Sequence, residues 1–340
     1  MNTKQVAAHG VIALVAVSLT SYTYSVSPQL NTSDRRGVVV FPELVAKAND
    51  IATISIRDKD RTITIERNEK GFFDKDSKYP VKPELFRDLV GNAATLSFEE
   101  AKTSDEKRYV DLGLADPEKE KSDKAGREVT IRDGKNNVLA TFWVGNRENS
   151  VGGARAGQYM RFGSDKQTWL VRGTTNVPAP HTAWFEINFF NMNKDALESI
   201  DISGGDLPEI KFVSAKKGDD IRLASPVPEG RKEDTNKSLR VAFMVDPLSF
   251  EDVRQPKEEL KPTGRKLVAK DRDGLVVTVQ SVGKFEDGWV RLTVEGTTDD
   301  SKKRAEGLKP KMEGFEFKLI PRYFEIMGWK LEDFTEEVKS

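Results

Sequence analysis

Leu96-Ser97-Phe98-Glu99-Glu100 returns 152 residues later as Leu248-Ser249-Phe250-Glu251-Asp252. A recurrence at a fixed period constrains a chain more than any single element, because each copy is expected to fold into the same unit. Upstream, Ile54-Ser55-Ile56 opens a strand pair with Ile63-Thr64-Ile65, and Ile200-Asp201-Ile202 opens a similar pair with Ile221-Arg222-Leu223. Downstream, Val129-Thr130-Ile131, a turn and Leu139 to Val144 parallel Leu275 to Val279, a turn and Trp289 to Val294. Three landmarks in the same order predict two tandem units, residues 38–190 and 191–340.

Each unit reads as antiparallel hairpins with a packed helix. Ile54, Ile56, Ile63 and Ile65 fall on one face at period two, the signature of half-buried strands. Pro83 suits the first turn of a helix, and Leu85, Phe86, Leu89, Val90 and Ala93 form its apolar stripe. The equivalent helix of the second unit falls around Leu239 to Val245. Asp133-Gly134, Gly163-Ser164-Asp165 and Asp273-Gly274 mark turns. Asp299 to Met312 reads as a helix, Phe315 to Ile320 as a strand, and Tyr323 to Phe334 as a closing amphipathic helix. The predicted fold class is α+β, with two tandem repeats of antiparallel β-hairpins behind an N-terminal membrane segment.

That segment occupies residues 1–27. Val11 to Leu19 is apolar, less apolar residues continue to Val26, and no charge falls between Lys4 and Asp34. Three readings compete. The short apolar core fits a cleaved signal peptide, with small residues at Ser25-Val26-Ser27 for a peptidase. The longer uncharged stretch fits a transmembrane anchor, which needs about 20 residues. A buried core helix is the third, and the polar stretch that follows, residues 28–37, speaks against it. Anchor is favoured over signal. Both place the body outside the inner membrane, in the periplasm, although Arg35 and Arg36 beyond the segment weaken that orientation.

Fifty-four basic and 55 acidic side chains leave a net charge of −1, so no long-range field draws nucleic acid. The absence of cysteine excludes disulfides, thiolate zinc sites, iron–sulfur clusters, a cysteine nucleophile and a lipid anchor on cysteine.

Several elements together resemble the domain-of-unknown-function family 4340. They are Gly71-Phe72-Phe73, the helix with Leu85, Phe86 and Leu89, Leu112-Gly113-Leu114-Ala115-Asp116-Pro117, Val144-Gly145, Gln158-Tyr159-Met160-Arg161 and Thr168-Trp169-Leu170-Val171. The resemblance runs from Ile51 to Phe317. It implies an N-terminal membrane segment, an extracytoplasmic body and, for some members, a link to auxiliary components of ABC-type gliding-motility transport systems. It supplies no catalytic residues. The chain departs from the family in two charged stretches, Lys216 to Asp220 and Glu229 to Lys237, read as loops.

Candidate chemistry is sparse. His181 is the sole histidine outside the N-terminal segment and sits in a proline-bounded connection. A catalytic histidine needs a constellation rather than a single residue, so a structural role is favoured. Gly152-Gly153-Ala154-Arg155-Ala156-Gly157 is glycine-rich and follows a strand. A phosphate cradle needs a helix behind it, and Gln158 to Phe162 reads as strand instead. Gly152, Gly153, Arg155 and Gly157 are nevertheless the candidate ligand loop, because binding residues concentrate on loops. The acidic pairs Asp58 and Asp60, Glu99 and Glu100, and Asp271 and Asp273 read as solvated faces. Trp184, Phe185, Phe189 and Phe190 fall where the two units join, either as core between the repeats or as an exposed docking patch. Core is favoured, since aromatic side chains are mostly buried.

The expected function is that of a non-enzymatic extracytoplasmic accessory or scaffold protein of the bacterial envelope. It would hold the inner membrane through its N-terminal segment and use no cofactor, with ABC-type transporter components as partners. A periplasmic small-ligand-binding module is the alternative, with an envelope-polymer hydrolase behind it.

Overall fold

A computed structural model describes residues 35–149, 156–178 and 181–338. The membrane segment predicted at residues 1–27 lies outside them. Among the described residues, no helix is long and apolar enough to cross a membrane.

The first sheet has eight strands: β1 (Ile51–Arg57), β2 (Thr62–Asn68), β3 (Gly71–Asp74), β4 (Ser97–Ala101), β5 (Arg127–Asp133), β6 (Val138–Glu148), β7 (Gly157–Phe162) and β8 (Thr168–Arg172). Their order is β3-β2-β1-β5-β6-β7-β8-β4. The second sheet also has eight: β9 (Leu197–Gly204), β10 (Ile210–Val213), β11 (Arg222–Leu223), β13 (Phe250–Arg254), β14 (Pro262–Asp271), β15 (Leu275–Val282), β16 (Trp289–Gly296) and β17 (Glu316–Leu319). Their order is β11-β10-β9-β14-β15-β16-β17-β13, the same path strand for strand. A small third sheet pairs β12 (Arg231–Glu233) with β18 (Thr335–Glu337). The helices are α1 (Pro83–Thr95), α2 (Thr235–Arg240), α3 (Asp299–Met312) and α4 (Pro321–Met327). The fold is α+β with antiparallel sheets.

By compactness the chain divides into one unit of Met1–Thr62 with Arg87–Val177 and another of Ile63–Phe86 with Pro178–Ser340. In the first unit, β4 carries a register shift between Phe98 and Glu100, a bulge that twists an edge strand. Its free side is capped by the chain before β1. Gly37 N donates to the Phe98 carbonyl at 2.7 Å, and Val40 N to that of Leu96 at 2.8 Å. An edge so paired offers no template to another strand. Arg35 to Gly37, read from sequence as the end of a polar linker, are thereby tied down. Arg36 also pairs with Glu99, and Arg35 lies 5.7 Å from the Phe98 ring centre. Gly145 belongs to β6, and a Cβ there would overlap the Leu112 carbonyl oxygen. The loop through Gly113 passes too close to the strand for any side chain.

In the second unit, β13 carries its register shift between Phe250 and Asp252, and its start is bridged by Phe190 to Leu248. The inner faces hold the predicted alternation: Ile200, Ile202, Val277, Val279, Val290, Leu292 and Val294 are buried.

Several expectations need correction. Ile200–Ile202 pairs with Ile210 to Phe212, not with Ile221–Leu223, which lies one strand further out. The charged span between β9 and β11 hides the short apolar alternation of Ile210 and Phe212. Strand β14 goes unpredicted because its outer face carries Lys266 and Lys270 and its inner face includes the buried Arg265, leaving Leu267 and Ala269 as the buried apolar pair that marks it. In sheet position, β14 and β15 correspond to β5 and β6, so the downstream landmark is displaced by one strand. The second-unit helix begins earlier than expected, at Thr235, where the Asp234 carboxylate accepts from Lys237 N. The predicted closing helix stops at Met327. Beyond Gly328 the chain turns through Leu331–Phe334 into β18, which finds its partner in Arg231–Glu233. Glu229 to Lys237, read as a charged loop, thus holds a strand and a helix cap.

Candidate functional site

The site is built in the second unit, around the turn that follows β3. Strand β3 ends at Asp74, whose carboxylate accepts from Ser77 N at 2.8 Å and Ser77 Oγ at 2.7 Å. Ser77 Oγ accepts in turn from Tyr79 N at 3.2 Å. Side-chain oxygens of Asp and Ser that take main-chain donors close turns in this way. Lys78 sits at φ 57° to complete it, a left-handed conformation that a non-glycine residue adopts only under such constraint. Asp74 N then donates to the Tyr79 carbonyl at 3.0 Å.

The turn drives the Tyr79 ring inward, leaving it 2% exposed. Four phenylalanines meet it edge to face: Phe315 at 5.0 Å, Phe250 at 5.5 Å, and Phe185 and Phe317 at 5.7 Å. Edge-to-face pairs place the positive rim of one ring on the negative face of another. The Tyr79 hydroxyl is buried and has no hydrogen-bond partner among the described residues. Burial, with the nearby Glu186 carboxylate adding to it, pushes the phenol well above its ordinary pKa. The hydroxyl therefore stays protonated, a donor without an acceptor.

Tyr79 lines a cleft of about 410 Å³. Pro80, Val81 and Pro83 give it apolar walls, and Lys82, Glu186 and Lys311 supply charge. Lys311 Nζ pairs with Glu186 at 2.8 Å, and Lys82 Nζ donates to the Ala183 carbonyl at 3.2 Å. Beside this cluster, His181 Nε2 lies 3.1 Å from Asp252 Oδ1, and the His181 ring stands 6.1 Å from Phe185, edge-on. The His181–Asp252 contact orients the imidazole and ties the segment before Trp184 to β13.

The residues singled out by sequence fall elsewhere. Gly152, Gly153 and Arg155 lie outside the described residues. Gly157 begins β7, in register with Glu148 and Arg172, so it serves a strand. Trp184, Phe185, Phe189 and Phe190 are all buried, none more than 8% exposed. They are not an exposed docking patch. They belong to the core of the second unit, where Phe189 stacks on Phe317 at 5.6 Å. Two carboxylates read as solvated are structural instead. Asp271 is fully buried, accepts from Leu275 N at 2.7 Å and pairs with Arg304 at 3.0 Å. Glu99 is held by Arg172 at 2.8 Å and by Arg36. Among the described residues, no cluster of three or more His, Asp and Glu side chains is placed to hold a metal ion. Sequence reasoning missed Tyr79. The signal available was Asp74-x-x-Ser77 ahead of Tyr79-Pro80, a turn spacing that fixes the direction of the next side chain.

Fold and site together define an α+β protein of two eight-stranded antiparallel sheets, carrying a small cleft backed by an aromatic cluster. No curated protein and no solved structure matches the chain. A family model described as Domain of unknown function (DUF4340) matches residues 72–266, more than half of the sequence. The chain belongs to that family.

Proposed function

We propose that this chain is a non-enzymatic accessory or scaffold protein of the bacterial envelope. The N-terminal segment holds it in the inner membrane, the body stands in the periplasm, and the body docks against components of an ABC-type transport system. The observation that carries this reading is the doubled architecture. Both sheets follow one strand order, and both edge strands, β4 and β13, bulge one residue after the shared Leu-Ser-Phe. Both are also bridged at their start by the preceding chain, Val39 to Ser97 and Phe190 to Leu248. Shared bulges and caps support descent of the two halves, 38–190 and 191–340, from one duplicated unit, since bulges persist as designed features of a fold. A body built twice over offers two related surfaces, which suits assembly.

The placement rests on Val11 to Leu19 and the uncharged stretch around it. Fractionation with protease accessibility tests it. The expected result is full-length chain in the inner-membrane fraction, resistant in whole cells and digested once the outer membrane is opened. Recovery in the cytosol, or protection after opening, contradicts the placement.

A further inference from the structure

Arg240 closes α2 and Phe243 follows it on the turn Val241–Met244, while Arg322, Tyr323 and Ile326 belong to α4. These five residues line one pocket of about 230 Å³ in the second unit. Its lining holds two arginines and no acid. The Arg240 guanidinium lies 4.9 Å from the Trp329 ring centre and that of Arg322 lies 4.7 Å from the Tyr323 ring centre, so each is held by a ring. Stacking leaves the in-plane N–H donors of a guanidinium available. Arg322 spends one of them on the Tyr323 hydroxyl at 2.9 Å. Among the described residues, neither arginine has a carboxylate partner. Glu325, the acid of α4, lines a different cleft with Phe285 and Trp289. Phe243 is 46% exposed, and among the described residues it is the only aromatic side chain left exposed. A lone apolar residue on a surface needs no explanation. Phe243 instead shares a concavity with the two arginines, the combination of apolar wall and convergent donors that small-ligand sites use.

We propose that this pocket binds a small aromatic phosphomonoester. Its phosphate accepts from Arg240 and Arg322, and its ring lies against Phe243 and Ile326. Guanidinium forks match phosphate oxygens. Two of them balance the roughly two negative charges that a phosphomonoester carries at neutral pH, whereas a carboxylate would balance one. The pocket is smaller than the roughly 300–1,000 Å³ of sites for drug-sized ligands, which restricts the ligand to a phosphate and a single ring. A lipid headgroup offers the same phosphate, but a membrane-binding face presents a broad apolar surface, and Phe243 is a single residue. This site is independent of whether the body docks on a transporter.

The test is calorimetric and NMR titration of the full-length chain with phenyl phosphate, inorganic phosphate, benzyl alcohol and the soluble lipid dihexanoylphosphatidate, repeated on Arg240→Gln, Arg322→Gln and Phe243→Ser. The three side chains are exposed, so the fold is preserved, and thermal unfolding verifies this. Phenyl phosphate should bind, with inorganic phosphate and benzyl alcohol each at least about fivefold weaker. Each arginine variant should lose about tenfold for phenyl phosphate, the loss expected for a hydrogen bond to a charged group. Phe243→Ser should weaken phenyl phosphate several-fold and leave inorganic phosphate unchanged. Absence of binding by phenyl phosphate at millimolar concentration overturns the proposal, as does wild-type affinity in either arginine variant. Equal affinity for inorganic phosphate overturns it too. Dihexanoylphosphatidate binding more than about tenfold tighter than phenyl phosphate would assign the pocket to lipid headgroups and equally overturn it.

Discussion

Glu316 on β17 and Arg254 on β13 stand directly opposite one another, with Arg254 Nε 2.9 Å from the fully buried Glu316 carboxylate. On the other side, Glu316 faces Arg291 of β16, whose Nη2 lies at 2.8 Å. One carboxylate thus ties the edge strand to the two beside it, and Arg254 stacks at 3.7 Å on the Trp289 ring. Breaking a buried pair by removing one partner leaves an uncompensated charge, at a cost of about 3–5 kcal/mol. Here two arginines lose their partner together. Both arginines keep part of their side chains in water, so Glu316→Ala should destabilise the second unit by about the lower end of that range in urea unfolding. A loss below about 1 kcal/mol, the size of a surface ion pair, contradicts the assignment.

Arg265 is bound by main chain alone. Its guanidinium donates to the carbonyls of Met327 at 2.9 Å, Trp329 at 3.1 Å and Pro208 at 3.2 Å, holding the end of α4 to the loop after β9. Five donors in a planar fork do this, and a lysine ammonium does not. Each carbonyl left buried and unpaired costs about 1–3 kcal/mol. Arg265→Lys should therefore destabilise nearly as much as Arg265→Met. Hydrogen exchange should quicken around Gly328 and Trp329 in both variants. Full rescue by lysine rules the fork geometry out.

Glu99 sets an acid limit on the first unit. Burial alone would raise its carboxyl pKa, but hydrogen bonds and charge from Arg172 and Arg36 outweigh that and hold it below the usual carboxylate range. A depressed folded pKa stabilises the fold above the unfolded value of about 4.3. That contribution fades as pH falls through the lower folded value. Stability should thus decline from about pH 5 downward, and Glu99→Gln should flatten the decline while lowering stability at neutral pH. An unchanged slope in Glu99→Gln contradicts this.

Gly145 is fixed by the Leu112 carbonyl, which occupies the space of any Cβ. Overpacking of this kind costs about 1–3 kcal/mol. Gly145→Ala should fall in that range, whereas Gly134→Ala, in an open turn with nothing within 4 Å, should stay near zero. Equal effects contradict the close approach.

Periodicity made the regular elements legible. The alternating isoleucines of β1 and β2, the stripe of α1 with Pro83 at its start, and α3 behind Thr298 follow from local chemistry. The Leu-Ser-Phe pentapeptide marks the same edge position in both sheets. What escaped was set by distant partners. Strand β14 is charged along its outer face and is a strand because β9 and β15 flank it. The segment after Met327 is not helical because Arg231–Glu233 waits to pair with it. Asp271 and Glu99 look like surface acids until Arg304, Arg172 and Arg36 are brought to them by the fold. Tyr79 became visible only once four phenylalanines from distant positions closed around it.

The central claim is that the body works by docking within the envelope. In-situ crosslinking of the tagged full-length chain in native membranes, with mass spectrometry of the captured proteins, tests it most directly. The account predicts crosslinks from the body to permease or ATPase-associated components of a transport system. Recovery of the chain crosslinked only to itself, at any crosslinker length, contradicts it.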